Sequence, residues 1–405
     1  MSVLDVTPGV QARERLGSVP WDVRVADDLD EAFLGQMMDF LRLYMPAGAD
    51  PVWSTDYFKW KLGDCNPAGR GFLTCAVAGE RVVGVTSITP KRFWCRGKVV
   101  IGAEIGDTFT HPDYLKKRTA VTRDKRLRDS DLKSSDPRNA DYVQHSIFGR
   151  LVTETKARAL EQGIRLIYGT PNRLSRPGYE KHLNFLSHPT HHNMTFIRPT
   201  ARGIAQRHWL LRRASWALSG AEGVFAALTR ALTRVGVGRN YVIERLERST
   251  TALDELWDRV KGERAFSLVR DRAYFHHRFF EHPLARYTVY TASRHGRLEG
   301  VFVTRIMVTS WGKRYCSVAD WCLEGSSPGL FAVMLAHAIQ EYDRRQLDGF
   351  QLWCPLQGDY PSILRWLGFV RVCESPIIFF QNEEGHEVLH GCRTLDFTLA
   401  SSDNV

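Results

Sequence analysis

The chain repeats one ordered set of residues at an interval of more than two hundred positions, which restricts it to a duplicated architecture. The stretch YFKWK at residues 57–61 is matched by YFHHR at residues 274–278, an offset of 217. Asp107 is matched by Asp320 at an offset of 213, but the offset at Pro171 is only 184. The first copy therefore holds extra residues between its acid and its proline. A period of this length indicates two copies of a whole domain rather than a solenoid.

The most informative single stretch predicts a strand, a helix and a second strand in that order. An apolar strand covers residues 99–110. Apolar positions three or four apart then predict a helix over residues 146–162, with Gly163 as its terminator. A second apolar strand follows at residues 164–170. This order predicts a parallel βαβ crossover whose helix begins near the strand ends.

The motifs around this crossover resemble the GNAT superfamily of acyl-CoA-dependent N-acyltransferases. In that family a strand ends near His-Pro, a helix follows, the next strand ends in Asn, and a segment with Tyr, Lys and Phe closes the unit. The matching residues here are His111-Pro112-Asp113-Tyr114, Ser146-Ile147-Phe148, Asn172, Tyr179-Glu180-Lys181 and Phe185. With the duplication, the resemblance implies an α+β fold of two tandem GNAT-like domains. Each would be a mixed, mostly antiparallel sheet with a central βαβ unit and flanking helices.

The predicted organisation has three parts. By resemblance, an N-terminal GNAT-like domain at residues 1–199 would bind acyl-CoA, and a degenerate GNAT-like domain at 241–405 would bind the acceptor. A basic helical linker at 200–240 would join them as two helices around Gly220. Residues 119–143 alternate basic and acidic residues with almost no apolar content, so we predict a mobile surface insertion there.

Charge and cysteine content restrict the classes of partner and compartment. The net charge of +10 favours a polyanionic partner such as CoA or a nucleotide-linked molecule. The 8 cysteines show no metal-ligand spacing, so we expect free thiols in a reducing cytoplasm and no bound metal. No signal-peptide pattern, long apolar run or nucleic-acid-binding motif is found. We therefore expect a cytoplasmic protein with no transmembrane segment and no nucleic-acid partner. Peripheral contact of the basic linker with a membrane stays open, as does the oligomeric state.

Residues 169–179, with the sequence GTPNRLSRPGY, are most similar to the sugar N-acyltransferases of bacterial surface polysaccharide biosynthesis. This resemblance implies transfer from acetyl-CoA or another acyl-CoA to the amine of a small-molecule acceptor, an amino sugar linked to a nucleotide. Two alternatives remain from the sequence. One is a Fem-type transferase that moves an amino acid from aminoacyl-tRNA to a cell-wall precursor. The other is a GNAT-like binding protein without catalysis, because the family's glycine-rich turn is absent before Ser146.

Three residues are predicted to act in catalysis. We favour Asp107 as the base because it lies nearest the end of the first strand, although the matching Asp320 leaves a structural role open. Glu104 is the other acid of that strand, and the spacing of three predicts that the two side chains point to opposite faces. By resemblance, Tyr179 would donate a proton to the leaving CoA thiolate.

The remaining predicted site residues follow from the resemblance. The first strand, the basic residues after it, the helix start and the end of the second strand would bind acyl-CoA through Thr108, Phe109, Thr110, Lys117, Arg118, Ser146, Ile147, Phe148, Gly149 and Asn172. The acceptor site would be lined by His111, Tyr168, His191 and Trp321.

Overall fold

The structure is a computed structural model. It describes residues 19–26, 29–44, 53–115, 142–189, 191–207, 215–235, 240–309, 312–342, 344–356, 358–392 and 395–402. Almost all of the insertion predicted at 119–143 lies outside the described residues, as do Lys117 and Arg118.

The described residues form 15 strands, several of which follow one another with no helix between them. In chain order they are β1 (Asp22–Ala26), β2 (Phe72–Ala78), β3 (Arg81–Cys95), β4 (Lys98–Thr110), β5 (Leu166–Gly169), β6 (Phe185–Ser187), β7 (Asn193–Pro199), β8 (Val242–Arg245), β9 (Phe266–Leu268), β10 (Tyr287–Arg294), β11 (Arg297–Val308), β12 (Arg314–Leu323), β13 (Gly349–Pro355), β14 (Val370–Glu374) and β15 (Ile378–Phe380).

The helices are mostly short. They are α1 (Glu31–Leu41), α2 (Thr55–Leu62), α3 (Pro112–Leu115), α4 (Ile147–Glu161), α5 (Arg176–His182), α6 (Ala201–Arg207), α7 (Ser215–Val235), α8 (Ala252–Val260), α9 (Arg272–Phe275, continued by a π-helix at His276–Phe280), α10 (Pro328–Glu341), α11 (Tyr360–Trp366) and α12 (Glu383–Leu389).

Two mixed sheets carry the duplication that the sequence predicts. The first has the strand order β1-β2-β3-β4-β5-β15-β6, with β9 paired to β3, and the second has the order β14-β7-β13-β12-β11-β10-β8. Each contains one parallel pair, β4 with β5 and β12 with β13, and antiparallel neighbours elsewhere. The helices α4 and α10 make the two crossovers, as parallel pairs require. The predicted fold class of two tandem GNAT-like domains is confirmed.

The sheets exchange strands, so the two domains do not separate at residue 199. β7 lies within the predicted N-terminal domain but pairs with β13 and β14 in the second sheet. β15 lies in the C-terminal part of the chain but pairs with β5 and β6 in the first sheet. The predicted domain boundaries 1–199 and 241–405 therefore do not coincide with the division into two sheets. An apolar strand pattern indicates a buried strand and does not specify the sheet that receives it.

The start of α4 shows why this segment is helical. Ser146 caps the helix by accepting a hydrogen bond from the Gly149 N–H at 2.9 Å, and such a cap satisfies a main-chain donor that has no partner within the helix. The helix then packs closely on β3 at Gly84, where an added Cβ would lie 2.5 Å from Ile147. The helix predicted at residues 146–162 is therefore confirmed within one residue at each end.

One apolar core crosses the boundary between the sheets. Phe93 and Tyr168 of the first sheet pack in the same buried cluster as Phe266, Val301 and Phe397 from the C-terminal half. The ring centroids of Phe93 and Phe266 are 5.0 Å apart. The two halves therefore share a core, and the groups at their junction have fixed relative positions.

The linker differs from its prediction. Gly220 was expected to separate two helices, but it lies inside α7, which runs without a break through it. The described helical segment before α7 is α6. A glycine inside a helix costs only about 1 kcal/mol relative to alanine, so it does not by itself break a helix that is packed on one side.

Candidate active site

The parallel strands β4 and β5 pair briefly and then part. The last pair of their register joins Glu104 to Tyr168. β4 continues to Thr110, whereas β5 ends at Gly169 and pairs on its other side with β15. Within the described part of the chain, no strand pairs with this edge of β4 beyond Glu104. Main-chain groups on that edge can therefore hydrogen-bond to an extended ligand arm, in the manner of an added strand.

A β-bulge interrupts β4 at this opening. In the ladder with β3, Ser87 pairs with Gly106 and Val85 pairs with Phe109, so β4 carries one residue more than β3 between the two pairs. Asp107 takes a φ of +47° there. Among non-glycine residues, aspartate is one of the few that adopt this left-handed conformation readily. Bulges of this kind redirect side chains at functional sites.

The bulge overturns the prediction that Glu104 and Asp107 point to opposite faces. The extra residue breaks the alternation of the strand, because the rule of period two assumes regular pairing. Glu104 pairs with Thr89 of β3, and Asp107 accepts a hydrogen bond from Ser87 of the same strand at 2.8 Å. Both carboxylates therefore lie on the face of the sheet that packs against α2.

Asp107 is fixed by three donors. The Nζ of Lys61 lies 2.5 Å from Oδ2, which also accepts from Ser87, and the indole N–H of Trp53 lies 3.3 Å from Oδ1. The side chains of Lys61 and Asp107 are 1% and 3% exposed. Both oxygens of this carboxylate thus have partners that hold the bulge in place, and this arrangement supports the structural role that the sequence left open.

The second copy places a similar network at Asp320. Its carboxylate accepts from the guanidinium of Arg270 at 3.0 Å, from the hydroxyl of Tyr274 at 2.7 Å and from Thr398 at 2.8 Å. Asp320 and Arg270 are both almost fully buried. An acid paired with a buried cation at this strand position is therefore common to both domains, which again favours a structural function.

Glu104 is the acid at the point where the strands part. Its Oε1 accepts from the Thr170 hydroxyl at 2.8 Å, and its Oε2 lies 3.5 Å from the Nζ of Lys91. The Thr170 hydroxyl also contacts the hydroxyl of Ser402 at 2.9 Å. The C-terminal segment therefore reaches the residues beside the opening.

Tyr179 lies on the opposite side of the same opening. Its hydroxyl is 2.9 Å from the Thr108 hydroxyl, and its ring packs edge-on against Phe148 and Phe185. Thr108 in turn contacts the hydroxyl of Thr86 at 2.7 Å. Burial raises the pKa of Tyr179 above its ordinary value, so the phenol keeps its proton at neutral pH. A protonated hydroxyl at this position can act as a hydrogen-bond or proton donor.

The residues predicted to bind acyl-CoA lie at different places in the structure: some pack against other side chains, and others form the N-terminus of α4. Phe109 packs against Tyr44 and Trp53 on the α1 side of β4, and the carbonyl of Thr110 accepts from the Tyr44 hydroxyl. Ile147 is buried against β3. The remaining predicted residues at the start of α4 form the helix N-terminus, where Gly149 has no room for a side chain because a Cβ would lie 2.8 Å from Val143.

Asn172 is a turn residue in this structure. Its side-chain oxygen accepts from the N–H groups of Leu174 and Ser175, both at 2.9 Å, and from the Ser175 hydroxyl at 3.2 Å. An asparagine that bonds main-chain groups two and three residues ahead stabilises a turn. These contacts build the approach to α5 and do not direct the side-chain oxygen toward a ligand.

Two of the predicted acceptor residues are core residues, which corrects their assignment. Tyr168 is fully buried and donates its hydroxyl to the Ser401 carbonyl at 2.5 Å. Trp321 is buried in the second sheet's core against Phe331, with centroids 5.3 Å apart. His111 lies at the end of β4, where its Nδ1 accepts from the Asp113 N–H at 3.3 Å. Large apolar rings bury most area in a core, so sequence alone could not separate that use from ligand stacking.

His191 is buried, and this leads to a pH-dependent prediction. Burial, and then the nearby His188, lower the pKa of His191 to about 4. An unfolded histidine titrates near 6.5, so between these values the unfolded chain binds the extra proton. We expect the free energy of unfolding to fall by up to about 3 kcal/mol as the pH drops from about 6.5 to about 4.

Urea titrations across this pH range would measure that slope. The His191→Phe variant should lose much of it, while the same change at the exposed His276 should leave it in place. An equally steep slope in His191→Phe would contradict the assignment.

A small cavity lies between the two domains on the α2 side of the sheet. It has a volume of about 40 Å³ and is lined by residues of both halves: Trp60, Lys61, Asn66, Pro67, Ala68, Thr89, Pro90, Lys91, Arg92, Leu268, Val269, Tyr274, His277 and Arg278. Because Thr89 pairs with Glu104 across the sheet, the cavity adjoins the acid at the opening. It is far smaller than the several hundred Å³ of a usual ligand pocket.

The sequence interpretation missed the basic partners of the two acids. Lys61 follows Tyr57 and Phe58 by four and three positions and shares their buried face, and a lysine on such a face is rarely found without a buried acid. The sequence therefore indicated that Lys61 needs a buried acid. It did not identify Asp107 as that acid, because the two residues are 46 positions apart. Lys91 lies in the middle of β3 and has no comparable sequence signal.

The described residues show neither a metal-binding cluster nor a membrane-spanning helix. They contain no group of three or more His, Cys, Asp or Glu arranged to hold a metal ion. None of their helices is both long and apolar enough to cross a membrane.

Comparison with known proteins supports the fold. No protein-family model matches the chain, and no curated protein sequence matches it. Among solved structures, a probable N-acyltransferase of unknown function from Enterococcus faecalis V583 is similar with a TM-score of 0.56 and 12% identity, over 92% of this chain and 75% of that one. A GCN5-related N-acetyltransferase from Anabaena variabilis is similar with a TM-score of 0.53 and 12% identity, over 88% and 72%.

The N-myristoyltransferase of Saccharomyces cerevisiae, solved with bound myristoyl-CoA, is also similar. The TM-score is 0.53 and the identity 12%, over 94% of this chain and 89% of that one. At such identities the similarity concerns the fold. The chain therefore has the tandem GNAT-like fold that these acyltransferases share.

Proposed function

We propose that the protein is an acyl-CoA-dependent N-acyltransferase and that its acceptor is the amine of an amino sugar, linked to a nucleotide. The observation that carries the proposal is the opening between β4 and β5 beyond Glu104, with the Tyr179 hydroxyl on one side of it and a carboxylate on the other. The fold similarity supports the acyltransferase class. The amino sugar rests on the resemblance of residues 169–179, and the net charge of +10 is compatible with a nucleotide-linked acceptor.

We expect the arm of an acyl-CoA to lie in this opening. The arm would lie along the free edge of β4 as an added strand, with main-chain groups near Thr108 holding it. Gly106 and Gly169 keep side chains out of this region, and a Cβ at Gly169 would already lie 3.3 Å from Ile105. The N-terminus of α4 would face the phosphates, since the positive end of a helix dipole favours anions.

The acceptor would approach from the face of the first sheet that packs against α2, where the cavity lies. The cavity of about 40 Å³ between the domains can admit an amino group but not a sugar ring. We therefore infer that only the reacting amine enters it, while the rest of the acceptor stays outside. Holding the two substrates in line can supply about 7–11 kcal/mol of the barrier reduction.

In the reaction, the neutral amine attacks the thioester carbonyl and the carbon–sulfur bond breaks. The amine proton passes to Glu104, which we prefer to Asp107 as the base because it lies where the strands part and its contact with Lys91, at 3.5 Å, is looser than the 2.5 Å pair of Asp107 with Lys61. The departing sulfur receives the phenolic proton of Tyr179. Solvent then returns a proton to Tyr179 and removes one from Glu104.

Titration calorimetry with acetyl-CoA, followed by an assay of thiol release with amino-sugar nucleotides, tests the proposal. We expect binding in the micromolar range and turnover with such an acceptor. The Glu104→Gln variant should keep the affinity for acetyl-CoA and lose most of the turnover, and Glu80→Gln at the exposed β2–β3 turn is the matched control. Binding of aminoacyl-tRNA without binding of any acyl-CoA would contradict the proposal and favour the Fem-type alternative.

A further inference from the structure

The exposed side chains of α7 that the structure describes are apolar or small and uncharged. Trp216 is 79% exposed and Val224 is 62% exposed. The other exposed positions of the helix with described side chains are small and uncharged: Ala217, Ser219, Gly220, Ala221, Gly223, Ala227 and Ala231. A helix on the surface of a soluble domain normally turns charged residues toward water. The composition of the outer face of α7 is therefore typical of a surface that contacts a binding partner.

The inner face of α7 already holds the helix in place. Ala226 and Thr229 are buried, and Phe225 lies under the guanidinium of Arg198 at 5.3 Å. The only acid of residues 200–240, Glu222, accepts from the Ala201 N–H at 2.9 Å and so turns toward α6. The docking of α7 onto the second domain therefore does not account for the residues of its outer face.

The segment that contains α6 and α7 is strongly basic in sequence. Residues 200–240 contain 7 arginines against that single acid. Arg344 donates to the carbonyl of Glu222 at 3.2 Å, and Arg202 donates to the carbonyl of Arg345 at 3.3 Å, so arginines from the loop after α10 adjoin α6 and α7. An anionic partner is favoured at such a surface.

A second exposed apolar group adjoins the helix. Phe225 of α7 lies about 3.5 Å from the position of a Cβ on Gly368, at the end of α11. On either side of this contact Trp366 is 49% exposed and Val370 is 56% exposed, and the neighbouring Arg371 is exposed as well. Exposed tryptophan and arginine are thus also present on the segment that packs against the inner face of α7.

We propose that the outer face of α7 docks on the surface of an anionic lipid membrane. Tryptophan prefers the interface between headgroups and acyl chains, and arginines are attracted to anionic headgroups. Exposed residues of both types lie on or beside α6 and α7: Trp216, Trp366, Arg202, Arg345 and Arg371. A second copy of the chain fits less well, because a two-fold contact through this face would bring like-charged arginine clusters together. The proposal is independent of the acyl-transfer activity.

Sedimentation with vesicles tests the proposal on the full-length protein. We expect the protein to sediment with phosphatidylcholine vesicles that contain about 30% phosphatidylglycerol, and not with phosphatidylcholine alone. The partition coefficient should fall at least about tenfold when the salt rises from about 0.05 M to about 0.5 M, since screening weakens charge attraction. The same partition for both vesicle types, or none for either, would overturn the proposal.

Two surface variants distinguish binding through the outer face of α7 from a general effect of exposed apolar residues. Trp216→Ala with Val224→Ser should lower the partition coefficient about tenfold, because apolar area and an interfacial tryptophan are lost. Val242→Ser, at a residue that is 60% exposed on β8, is the matched control and should bind as the parent does. Equal loss in both variants would contradict the assignment.

Sedimentation equilibrium should show no self-association that depends on Trp216, and a dimer lost in the α7 variant would overturn the proposal in favour of a protein interface.

Discussion

Replacement of Tyr179 by phenylalanine is expected to lower the turnover number about a hundredfold while the dissociation constant for acyl-CoA changes less than about twofold. The variant keeps the ring packing against Phe148 and Phe185 and removes only the hydroxyl that contacts Thr108. A positioned proton donor contributes about 10² to 10⁴ in rate. The reduction should therefore appear in kcat, which a stopped assay of free thiol would measure beside calorimetric binding of acetyl-CoA.

A control distinguishes loss of the hydroxyl at this position from a general effect of the substitution. Tyr114 also has a single described hydroxyl partner, the carbonyl of Val19 at 3.1 Å, and it lies after β4 on α3. Tyr114→Phe should retain the turnover of the parent. The turnover number of Tyr179→Phe can be compared with that of the parent for acyl donors whose thiolate leaves readily and for donors whose thiolate leaves poorly. If the two proteins have the same turnover number with both kinds of donor, the proposed role of Tyr179 is wrong.

The Lys61→Met substitution is expected to reduce the free energy of unfolding by about 3–5 kcal/mol. It would leave the carboxylate of Asp107 buried without its ammonium partner, and an uncompensated buried charge is strongly destabilising. The Ser87 and Trp53 donors would remain, but they bring no positive charge. The bulge at Asp107 would lose its main anchor, so turnover should fall even where the variant is fully folded.

Urea unfolding of a set of variants would measure this effect. The double variant Lys61→Met with Asp107→Asn removes both charges and should recover most of the lost stability, as neutral replacements of buried pairs often do. Lys59→Met is the matched control, because Lys59 pairs with Glu31 at the surface and its side chain is 42% exposed. That change should cost less than about 1 kcal/mol. Similar losses at Lys59 and Lys61 would refute the assigned role of the buried pair.

The candidate site could be predicted only in part. The sequence identified β4, α4 and β5 and placed Glu104, Asp107 and Tyr179 near one another, because each lies at a definite point of a strand or helix pattern. It favoured Asp107 as the base because this residue lies nearest the strand end, and it placed Glu104 and Asp107 on opposite faces on the assumption of regular alternation. The bulge invalidates that assumption, and a single added residue is enough to move a side chain to the other face.

The sequence by itself determined the duplicated fold. Its strands and helices are encoded by apolar periods of two and about 3.6 residues, and the order of these elements recurs in both halves. These are local signals, so the helix predicted at residues 146–162 agrees closely with α4.

Only the tertiary structure decided which groups meet at the opening. Lys61 reaches Asp107 across 46 residues, and Thr170 reaches Ser402 across 232. The exchange of β7 and β15 between the sheets brings the C-terminal segment beside the first domain's parallel strands. Such partners are selected by burial and by the need to pair every buried charge. That requirement acts on the folded chain as a whole, and no local pattern of residues records it.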